Sequence, residues 1–532
     1  MFIQFTQTKY KNHVRKYAKI VESYRVGNKC RHKLILNLGP INSDTDIVKY
    51  KQILKSMKQK DEFINLKDIT ICSAKNYGVY YATGELLKKY ELDTILKKHL
   101  NSGKHTFDVF QIIKALIVNR LEEPCSKLSA YDWMKNEYPE EINPELQNIY
   151  SSLDKLINHK EDIEVELFEA LKDKLNIDTK KVHYDLTSSY FEGKNCQIAM
   201  YGYSRDHRPD RQQIVIGLVM VDGIPIYHEV FEGNTADKST LKGIAEKLKT
   251  KFNLKSPTII ADRGLITQEN LKMLEANGQK YILGFSKRNN NLTKELIVQD
   301  IKTNKNQSAK IIKTKDPRKY VLCIDNSTRN ERLEILKSIK ENISEKLNEL
   351  KAKFEKSHAS NKENKITKES LILQVDKILG KNRRLFDLHY EDKTFSFNVN
   401  KDAWEYEQKS AAKFLLVTNT DLKADEVMKS YKELMCVEQS FDCLKNKLLL
   451  RPVYHYKTKR VEAHVFICVM ALLIEKIIER FSSESGKKII TELKRIRIVE
   501  LQAPVLTKFF LTNSQEEINR LFRQIRINPP AI

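Results

Sequence analysis

Three carboxylates occupy positions in the sequence at which an ionised side chain needs a partner. Asp185 lies in the middle of a predicted strand, Asp262 ends the short apolar run that starts at residue 258, and Glu438 lies on a predicted helix. A buried carboxylate is costly unless it is paired or bound to a metal. If the three converge, each pair about 4 Å apart repels by roughly 4 kcal/mol at an effective dielectric constant of 20. The cluster would then take up protons or a divalent cation.

Mg²⁺, or Mn²⁺, is the cation that such a cluster predicts, because oxygen ligands suit hard ions with octahedral coordination. Two such ions about 3.5–4 Å apart can activate a water or a 3′-hydroxyl and stabilise the leaving oxygen in phosphoryl transfer. Taken singly, each carboxylate could instead be a helix N-cap, a solvated residue or a salt-bridge partner. Together they predict that Asp185, Asp262 and Glu438 are catalytic and hold two metal ions.

Glu438 shares one face of its predicted helix, residues 423–447, with a phenol and an ammonium group. Tyr431, Glu438 and Lys445 are seven residues apart, and seven residues at 3.6 per turn drift by only about 20°. This stripe predicts an edge at which Tyr431 and Lys445 contact a DNA phosphate beside the metal. An ordinary polar helix face is the alternative.

A basic loop follows the first predicted strand of this region. Residues 204–211 contain Arg205, Arg208 and Arg211. Three arginines in so short a loop predict contacts with a DNA backbone beside the metal site. A solvated hairpin tip would have the same composition.

The composition favours a nucleic-acid partner and disfavours other classes. The chain has 93 Lys and Arg against 70 Asp and Glu, a net charge of +23, and phosphate neutralisation by basic side chains supplies most non-specific DNA affinity. The longest apolar run, residues 465–474, is about half of what a membrane-spanning helix needs. The eight cysteines include no C-x-x-C pair, which disfavours a disulfide framework and a structural zinc site. We therefore expect a cytosolic protein without a membrane anchor or secretory signal.

The elements that must position these residues follow a mixed α/β pattern. From residue 181, the order strand, strand, strand, helix, strand, helix, strand is typical of a ribonuclease H-like core, a mixed sheet with flanking helices. The predicted organisation is a β-meander at 1–40, a helical DNA-end-binding region at 41–180, the first part of the catalytic core at 181–288, an insertion subdomain with a helical hairpin at 289–412, the second part of the core with the Glu438 helix at 413–482, and a C-terminal helical region at 483–532.

Residues 431–445 resemble the Y-(2)-R-(3)-E-(6)-K signature of DDE transposases of bacterial insertion sequences, in the superfamily named for insertion sequence four. Tyr431, Glu438 and Lys445 match its first, third and last positions, whereas its arginine falls on Leu434. The phosphate contact of that arginine is therefore either missing or supplied by Lys432, Arg451 or Lys447. The resemblance extends over nearly the whole chain through HYDLTS at 183–188, GYSRDHRPDRQ at 202–212, FEGNTADKSTL at 231–241, IADRG at 260–264, RPVYHY at 451–456 and the pair Ala463-His464.

The resemblance implies a transposase that binds the terminal inverted repeats of its own element, cleaves at the ends by Mg²⁺-activated hydrolysis and joins the 3′-hydroxyls to target DNA. It implies that Asp185, Asp262 and Glu438 hold the metals, and that an insertion separates the second Asp from the Glu. Double-stranded DNA, a homodimer in the synaptic complex and a nucleoid-associated place in the bacterial cytoplasm are the expected partners and location. Two alternatives remain open: a transposase-derived DNA-binding protein that no longer cuts, and a ribonuclease H-like nuclease without strand transfer.

Overall fold

The computed structural model describes residues 1–531 except 11–12, 60–68, 104–105, 194, 288–290, 302–305, 315, 317, 360–364, 392 and 504–505. The chain divides into two compact units. The first comprises Met1–Ala74 and Ile498–Phe510, and the second comprises Lys75–Arg497 and Leu511–Ala531.

The N-terminal part contains the predicted β-meander. Its elements are β1 (Phe2–Tyr10), β2 (His13–Val26), β3 (Lys29–Pro40), α1 (Asp44–Gln59) and β4 (Thr70–Asn76). β1, β2 and β3 pair antiparallel in that order. Gly27 has φ +57° in the turn between β2 and β3, a conformation that costs glycine little because it has no Cβ.

Six helices follow β4: α2 (Gly78–Lys89), α3 (Leu92–Leu100), α4 (Val109–Glu122), α5 (Lys127–Asn136), α6 (Leu146–Asn158) and α7 (Lys160–Lys174). The region predicted to be helical, 41–180, therefore also contains strand β4. α4 is buried at every position but one, and the Asp108 side chain caps it by accepting a hydrogen bond from the backbone N–H of Gln111, as an N-cap does.

The central sheet begins with the elements β5 (Lys181–Tyr190), β6 (Gln213–Val221), β7 (Ile224–Glu232), α8 (Asp237–Thr250), β8 (Thr258–Ala261), α9 (Gln268–Ala276) and β9 (Tyr281–Phe285). The predicted order of strands and helices is the observed one. β5, β6 and β7 pair antiparallel, whereas β8 is parallel to both β5 and β9. All nine residues of β6 are buried, which places this strand inside the core.

The next segment is α10 (Asn291–Ile297), β10 (Gln307–Ile312), β11 (Lys319–Asp325), α11 (Arg329–Ala359), α12 (Lys368–Leu379), β12 (Phe386–Tyr390), β13 (Phe395–Val399), α13 (Lys401–Lys409) and β14 (Lys413–Thr418). The first residues of the predicted insertion, 289–290, lie outside the described residues. β10 and β11 belong to the eight-stranded sheet, whose order is β10-β11-β14-β9-β8-β5-β6-β7. Part of the segment predicted as an insertion therefore extends the central sheet, because β11 pairs with β14. The antiparallel helices α11 and α12 and the hairpin β12-β13 enclose a separate hydrophobic cluster around Phe354 and Phe395.

The chain ends with α14 (Ala424–Lys432), α15 (Met435–Asp442), a π-helical turn (Cys443–Lys447), α16 (Thr458–Phe481), α17 (Gly486–Leu493), β15 (Arg497–Ala503), β16 (Leu506–Leu511) and α18 (Gln515–Gln524). The single helix predicted over 423–447 is thus interrupted. The backbone N–H groups of Leu434 and Val437 donate to carbonyls three residues earlier, and this tight turn buries the Leu434 side chain.

The C-terminal part is not wholly helical. The region predicted to be helical, 483–532, includes β15 and β16, which form a three-stranded sheet with β4 in the order β16-β15-β4. Side chains of Cys72 and Ser73 on β4 donate hydrogen bonds to Gln502 and Glu500 on β15.

Among the described residues, none of the helices combines the length and hydrophobicity that a membrane crossing needs.

Candidate active site

The register of two parallel strands brings the first two predicted carboxylates side by side. Tyr184 on β5 pairs with Ala261 at the end of β8. The residue that follows each of them is an aspartate: Asp185, within β5, and Asp262, directly after β8. Because paired residues of neighbouring strands point the same way, the sheet itself fixes the proximity of the two carboxylates.

Tyr431 on α14 orients Asp262 from across the next strand. Its hydroxyl donates a hydrogen bond to Asp262 Oδ1 at 2.8 Å, and its ring stacks on Phe414 with centroids 5.9 Å apart. It passes over Gly284 of β9, where an added Cβ would lie 2.3 Å from the Tyr431 hydroxyl oxygen. Burial and the neighbouring Asp262 raise the pKa of Tyr431 above its usual range, so the phenol remains a hydrogen-bond donor.

An open pocket of about 590 Å³ holds all three predicted carboxylates. Asp185 and Asp262 come from the sheet and Glu438 comes from α15, which packs on β5. The other charged side chains that line the pocket are Arg205, Asp206, Asp237, Arg263, Asp442, Lys445 and Arg451.

The pocket's charges fall into paired and unpaired sets. Asp206, whose side chain is only 5% exposed, pairs with Lys445 Nζ at 2.8 Å and with the Arg451 guanidinium at 2.6 Å. Asp237 pairs with Arg205 at 2.5 Å. None of Asp185, Asp262 and Glu438 forms a salt bridge with another described residue. Among the described residues, the three acids selected from the sequence thus lack a basic partner, as does Asp442, which accepts a hydrogen bond from Asn446.

Asp185 carries the electrostatic signature of this arrangement. Its pKa is raised to about 7, mainly by burial and to a smaller extent by the carboxylates of Asp262 and Glu438, against the opposing effects of the Leu186 backbone and of Arg205. Burial and like charges both disfavour the ionised carboxylate. The pocket is therefore poised to bind a cation or a proton at Asp185.

The structure brings three of the six predicted DNA-contacting residues to the carboxylate pocket. Arg205, Lys445 and Arg451 line the carboxylate pocket, whereas the described lining does not include Arg208 and Arg211. Arg208 forms a two-point ion pair with Asp210 in the same loop, as a solvated hairpin tip would, and Arg211 pairs with Glu192 at 3.2 Å.

Leu434 stands where the signature has arginine, and three cations were candidates to replace it. Lys432 pairs with Asp325 at 2.9 Å and Lys447 lies 3.7 Å from Glu475. Of the three candidates, Arg451 is the one that lines the pocket. Its guanidinium also lies over the Tyr190 ring, 5.3 Å from the centroid, which orients its planar fork.

Sequence reasoning did not assign a role to Asp206 or Asp237. Both lie in segments that carry the family resemblance, 202–212 and 231–241, and that was the available signal. Their function in the structure is to hold Lys445, Arg451 and Arg205 at the pocket. Gly264 leaves room for this arrangement, since an added Cβ would lie 2.9 Å from Asp237 Oδ2.

The spacing of ligand atoms differs between the carboxylate pocket and another group of side chains. Among the described residues, one set of three His, Cys, Asp or Glu side chains has ligand atoms that all lie within 4.8 Å of one another, and it is His99, His159 and Asp162. None of these residues lines the carboxylate pocket. The carboxylate oxygens of Asp185, Asp262 and Glu438 therefore do not all lie within 4.8 Å of one another.

Comparisons with known proteins identify two matching families. The model described as the transposase DDE domain matches residues 179–474, more than half of the chain. The model of the IS1634 family transposase N-terminal domain matches residues 3–67. No match is found among curated proteins. Among solved structures, the chain is similar to one described as the cryo-EM structure of the piggyBac transposase synaptic complex with hairpin DNA, with 10% identity, a TM-score of 0.36 and coverage of 79% of this chain and 80% of that chain.

Proposed function

The chain belongs to the DDE transposase family, and we propose that it binds the terminal inverted repeats of its own element, cleaves DNA there and transfers the freed 3′-hydroxyls to target DNA. The observation that carries this proposal is the set of unpaired carboxylates in one pocket. Asp185, Asp262 and Glu438 have no basic partner among the described residues, although four basic side chains line the same pocket. Like charges that share one pocket favour the binding of a cation between them.

The donor set fits Mg²⁺ or Mn²⁺. The three groups offer carboxylate oxygens, the ligands that these hard cations take, and burial together with the neighbouring Asp262 and Glu438 raises the pKa of Asp185. We propose that Asp185, Asp262 and Glu438 hold two ions, which when bound would activate the attacking water or hydroxyl. Tyr431 contributes by fixing the orientation of Asp262, as an outer-shell hydrogen bond does at many metal sites.

Basic side chains at the edge of the pocket supply the proposed DNA contacts. Lys445 and Arg451 are held by Asp206, and Arg205 is held by Asp237. Cations positioned in this way can bind backbone phosphates on either side of the scissile bond. Arg451 would take over the contact of the signature arginine that Leu434 replaces. The Tyr431 hydroxyl is engaged by Asp262, so any contact of Tyr431 with DNA would be made beside that carboxylate.

The wider architecture is part of the proposal. The strand order β7-β6-β5-β8-β9, with three parallel strands and an antiparallel hairpin, supports a ribonuclease H-like core. The hydrophobic cluster around Phe354 supports an inserted subdomain within the segment 289–412. We further propose that residues 41–180 help to bind the DNA ends, that a homodimer pairs two ends, and that the protein acts at the bacterial nucleoid.

The test is Mg²⁺-dependent cleavage of a duplex that carries the element's ends. Asp185→Ala, Asp262→Ala and Glu438→Ala should each lower the cleavage rate at least about a thousand-fold, as removal of a catalytic group commonly does. Gel-shift affinity should change little, because these residues hold metal and contribute little phosphate binding. Normal cleavage by any one variant would remove that residue from the proposed site.

Glu433→Ala is the matched control. Glu433 lies between α14 and α15 and pairs with Lys181 at 2.9 Å, outside the pocket, so its loss should leave cleavage nearly unchanged. Cut ends without joined products would favour a nuclease that lacks strand transfer. Repeat binding without Mg²⁺-dependent cutting by the unmodified chain would favour a DNA-binding derivative.

A further inference from the structure

A second pocket, of about 610 Å³, adjoins the segment that supplies Arg451. It is lined by Arg120 on α4, Lys127 at the start of α5, Tyr150 on α6, His464 on α16, and Tyr454 and His455 of the segment after α15. Neither the family resemblance nor the proposed catalytic site assigns a role to this pocket.

Its buried charges are all basic. Arg120 and Lys127 are 2% and 4% exposed, and neither forms a salt bridge with a described carboxylate. No Asp or Glu is among the described residues that line the pocket. Arg120 donates hydrogen bonds to the carbonyls of Leu448 and Leu449 at 3.3 and 3.2 Å, so part of its role is to hold this segment. Its Nε has no hydrogen-bond partner among the described residues.

Lys127, like Arg120, has no acidic partner among the described residues. Its Nζ lies 3.4 Å from His464 Nδ1, and a neutral imidazole is a weak substitute for a carboxylate. Burial, with Arg120 nearby, lowers the pKa of Lys127 to about 7. Burial and the same two cations hold the pKa of His464 well below its usual range. An anion that entered the pocket would relieve both effects.

The rim of the pocket has the character of a nucleic-acid surface. Tyr454 is 68% exposed, so its ring face is accessible to a nucleic-acid base. Arg451, three residues earlier, lines the carboxylate pocket. A DNA strand that leaves the carboxylate pocket along this segment would therefore meet an exposed ring beside a buried cation.

We propose that this second pocket is a DNA subsite that takes a backbone phosphate at Lys127, with the neighbouring base stacked on Tyr454. The assignment rests on the proposed function, which places DNA at the adjoining carboxylate pocket. Aromatic stacking and phosphate neutralisation are the two interactions by which proteins hold single strands without reading sequence. A subsite of this kind would fix the path of one strand beside the scissile phosphate.

The experiment uses the full chain and a fluorescently labelled single-stranded oligonucleotide of about ten thymidines, in EDTA at physiological salt. Tyr454→Ala should weaken binding about 5- to 100-fold, the range found for loss of one stacked base, whereas Tyr454→Phe should bind nearly as the unmodified chain does. Lys127→Met should also weaken binding and should lower its salt dependence. Thermal melting of each variant checks that it is folded.

Tyr456→Ala is the matched control, because Tyr456 is 62% exposed and does not line this pocket. A strand containing 5-iododeoxyuridine should crosslink to Tyr454 in preference to Tyr456 on irradiation. Equal effects of Tyr454→Ala and Tyr456→Ala in a chain that still binds and cleaves would overturn the subsite and leave the proposed function standing. Displacement of the strand by millimolar inorganic phosphate at constant ionic strength would show a free-anion site and would also overturn it. Failure of the unmodified chain to bind any strand would contradict both proposals.

Discussion

The carboxylate pocket and the second pocket, which adjoin the segment 448–456, carry unpaired charges of opposite sign. In each pocket, the counter-charge is missing among the described residues. The carboxylate pocket leaves Asp185, Asp262 and Glu438 without a basic partner, and the second pocket leaves Lys127 without an acidic one, among the described residues. Unpaired charge in a partly buried site costs free energy. The shared lack of counter-charge supports our two proposals, in which metal ions supply it in the carboxylate pocket and a phosphate supplies it in the second pocket.

Buried charges elsewhere in the chain show that the protein can pair them when no ligand is needed. Glu164 on α7 is 4% exposed, and its carboxylate contacts Lys160 Nζ at 2.7 Å and His228 Nδ1 at 2.6 Å. As a result the pKa of Glu164 lies below its usual value despite burial. Asp185, which is only partly buried and has no basic partner among the described residues, has a raised pKa. The difference between the two acids lies in their partners and therefore in function.

The largest expected effect is on the unfolding free energy of the chain, and it comes from the buried lysine of the second pocket. The pKa of Lys127 is about 7 in the folded chain against 10.5 ordinarily, so between these pH values the unfolded chain binds one proton more, and this contribution to stability rises with pH. Lys127→Met, which removes the ionisable group, should raise the unfolding free energy by up to about 5 kcal/mol at pH 7. The gain should shrink towards pH 10 in urea titrations. A gain that did not depend on pH would mean that packing, and not charge, is responsible.

Asp185→Asn should have the opposite pH dependence. Its folded pKa of about 7 lies above the ordinary 3.8, so between these values the folded chain binds the extra proton, and this contribution to stability falls as pH rises. Without metal, the variant should be more stable than the unmodified chain by up to about 4 kcal/mol at pH 8 and equal to it near pH 4. Cleavage should be lost at the same time. A variant that is destabilised at pH 8 in EDTA would contradict the charge cluster.

A smaller effect, on DNA binding and cleavage, is expected when a basic side chain of the carboxylate pocket is removed. Lys445→Ala should weaken both end binding and cleavage by about ten-fold or more, because it removes a charged donor to phosphate. Lys447→Ala should change both by much less, since Lys447 lies 3.7 Å from Glu475 and does not line the pocket. Glu438→Ala should affect cleavage alone. Comparable losses in both lysine variants would show that the cation's position relative to the pocket is unimportant.

Local patterns predicted the elements that carry the three acids. Apolar runs predicted β5 and β8, and the parallel register seen in the structure places Asp185 beside Asp262, while the catalytic role of these acids stays a prediction. The element order from residue 181 to residue 285 follows from the same patterns. Glu438 was placed on a helix correctly, although the helix was predicted to be continuous.

What the sequence did not predict depends on contacts between distant segments. The helix predicted over 423–447 is broken by a tight turn near Leu434, whose side chain is buried in the core, and the seven-residue spacing of Tyr431, Glu438 and Lys445 gave no sign of that break. Asp206 sits in a loop that reads as a solvated tip, and its partner Lys445 is 239 residues away. β11 joins the central sheet through β14 across a long intervening segment. The second pocket draws on α4, α5, α6 and α16, so no single stretch of sequence contains its pattern.

The smallest predicted effect concerns the orientation of the Asp262 carboxylate by Tyr431. Tyr431→Phe removes the hydrogen bond to Asp262 Oδ1 and retains the ring that packs on Phe414. Loss of one such bond costs about 1 kcal/mol, so the maximal cleavage rate should fall about five-fold. Half-maximal cleavage should require a higher Mg²⁺ concentration, because Asp262 is then less well oriented as a ligand, while DNA affinity stays unchanged. A loss of cleavage as complete as that of Asp262→Ala would show that the phenol takes part in the reaction itself and does more than position the carboxylate.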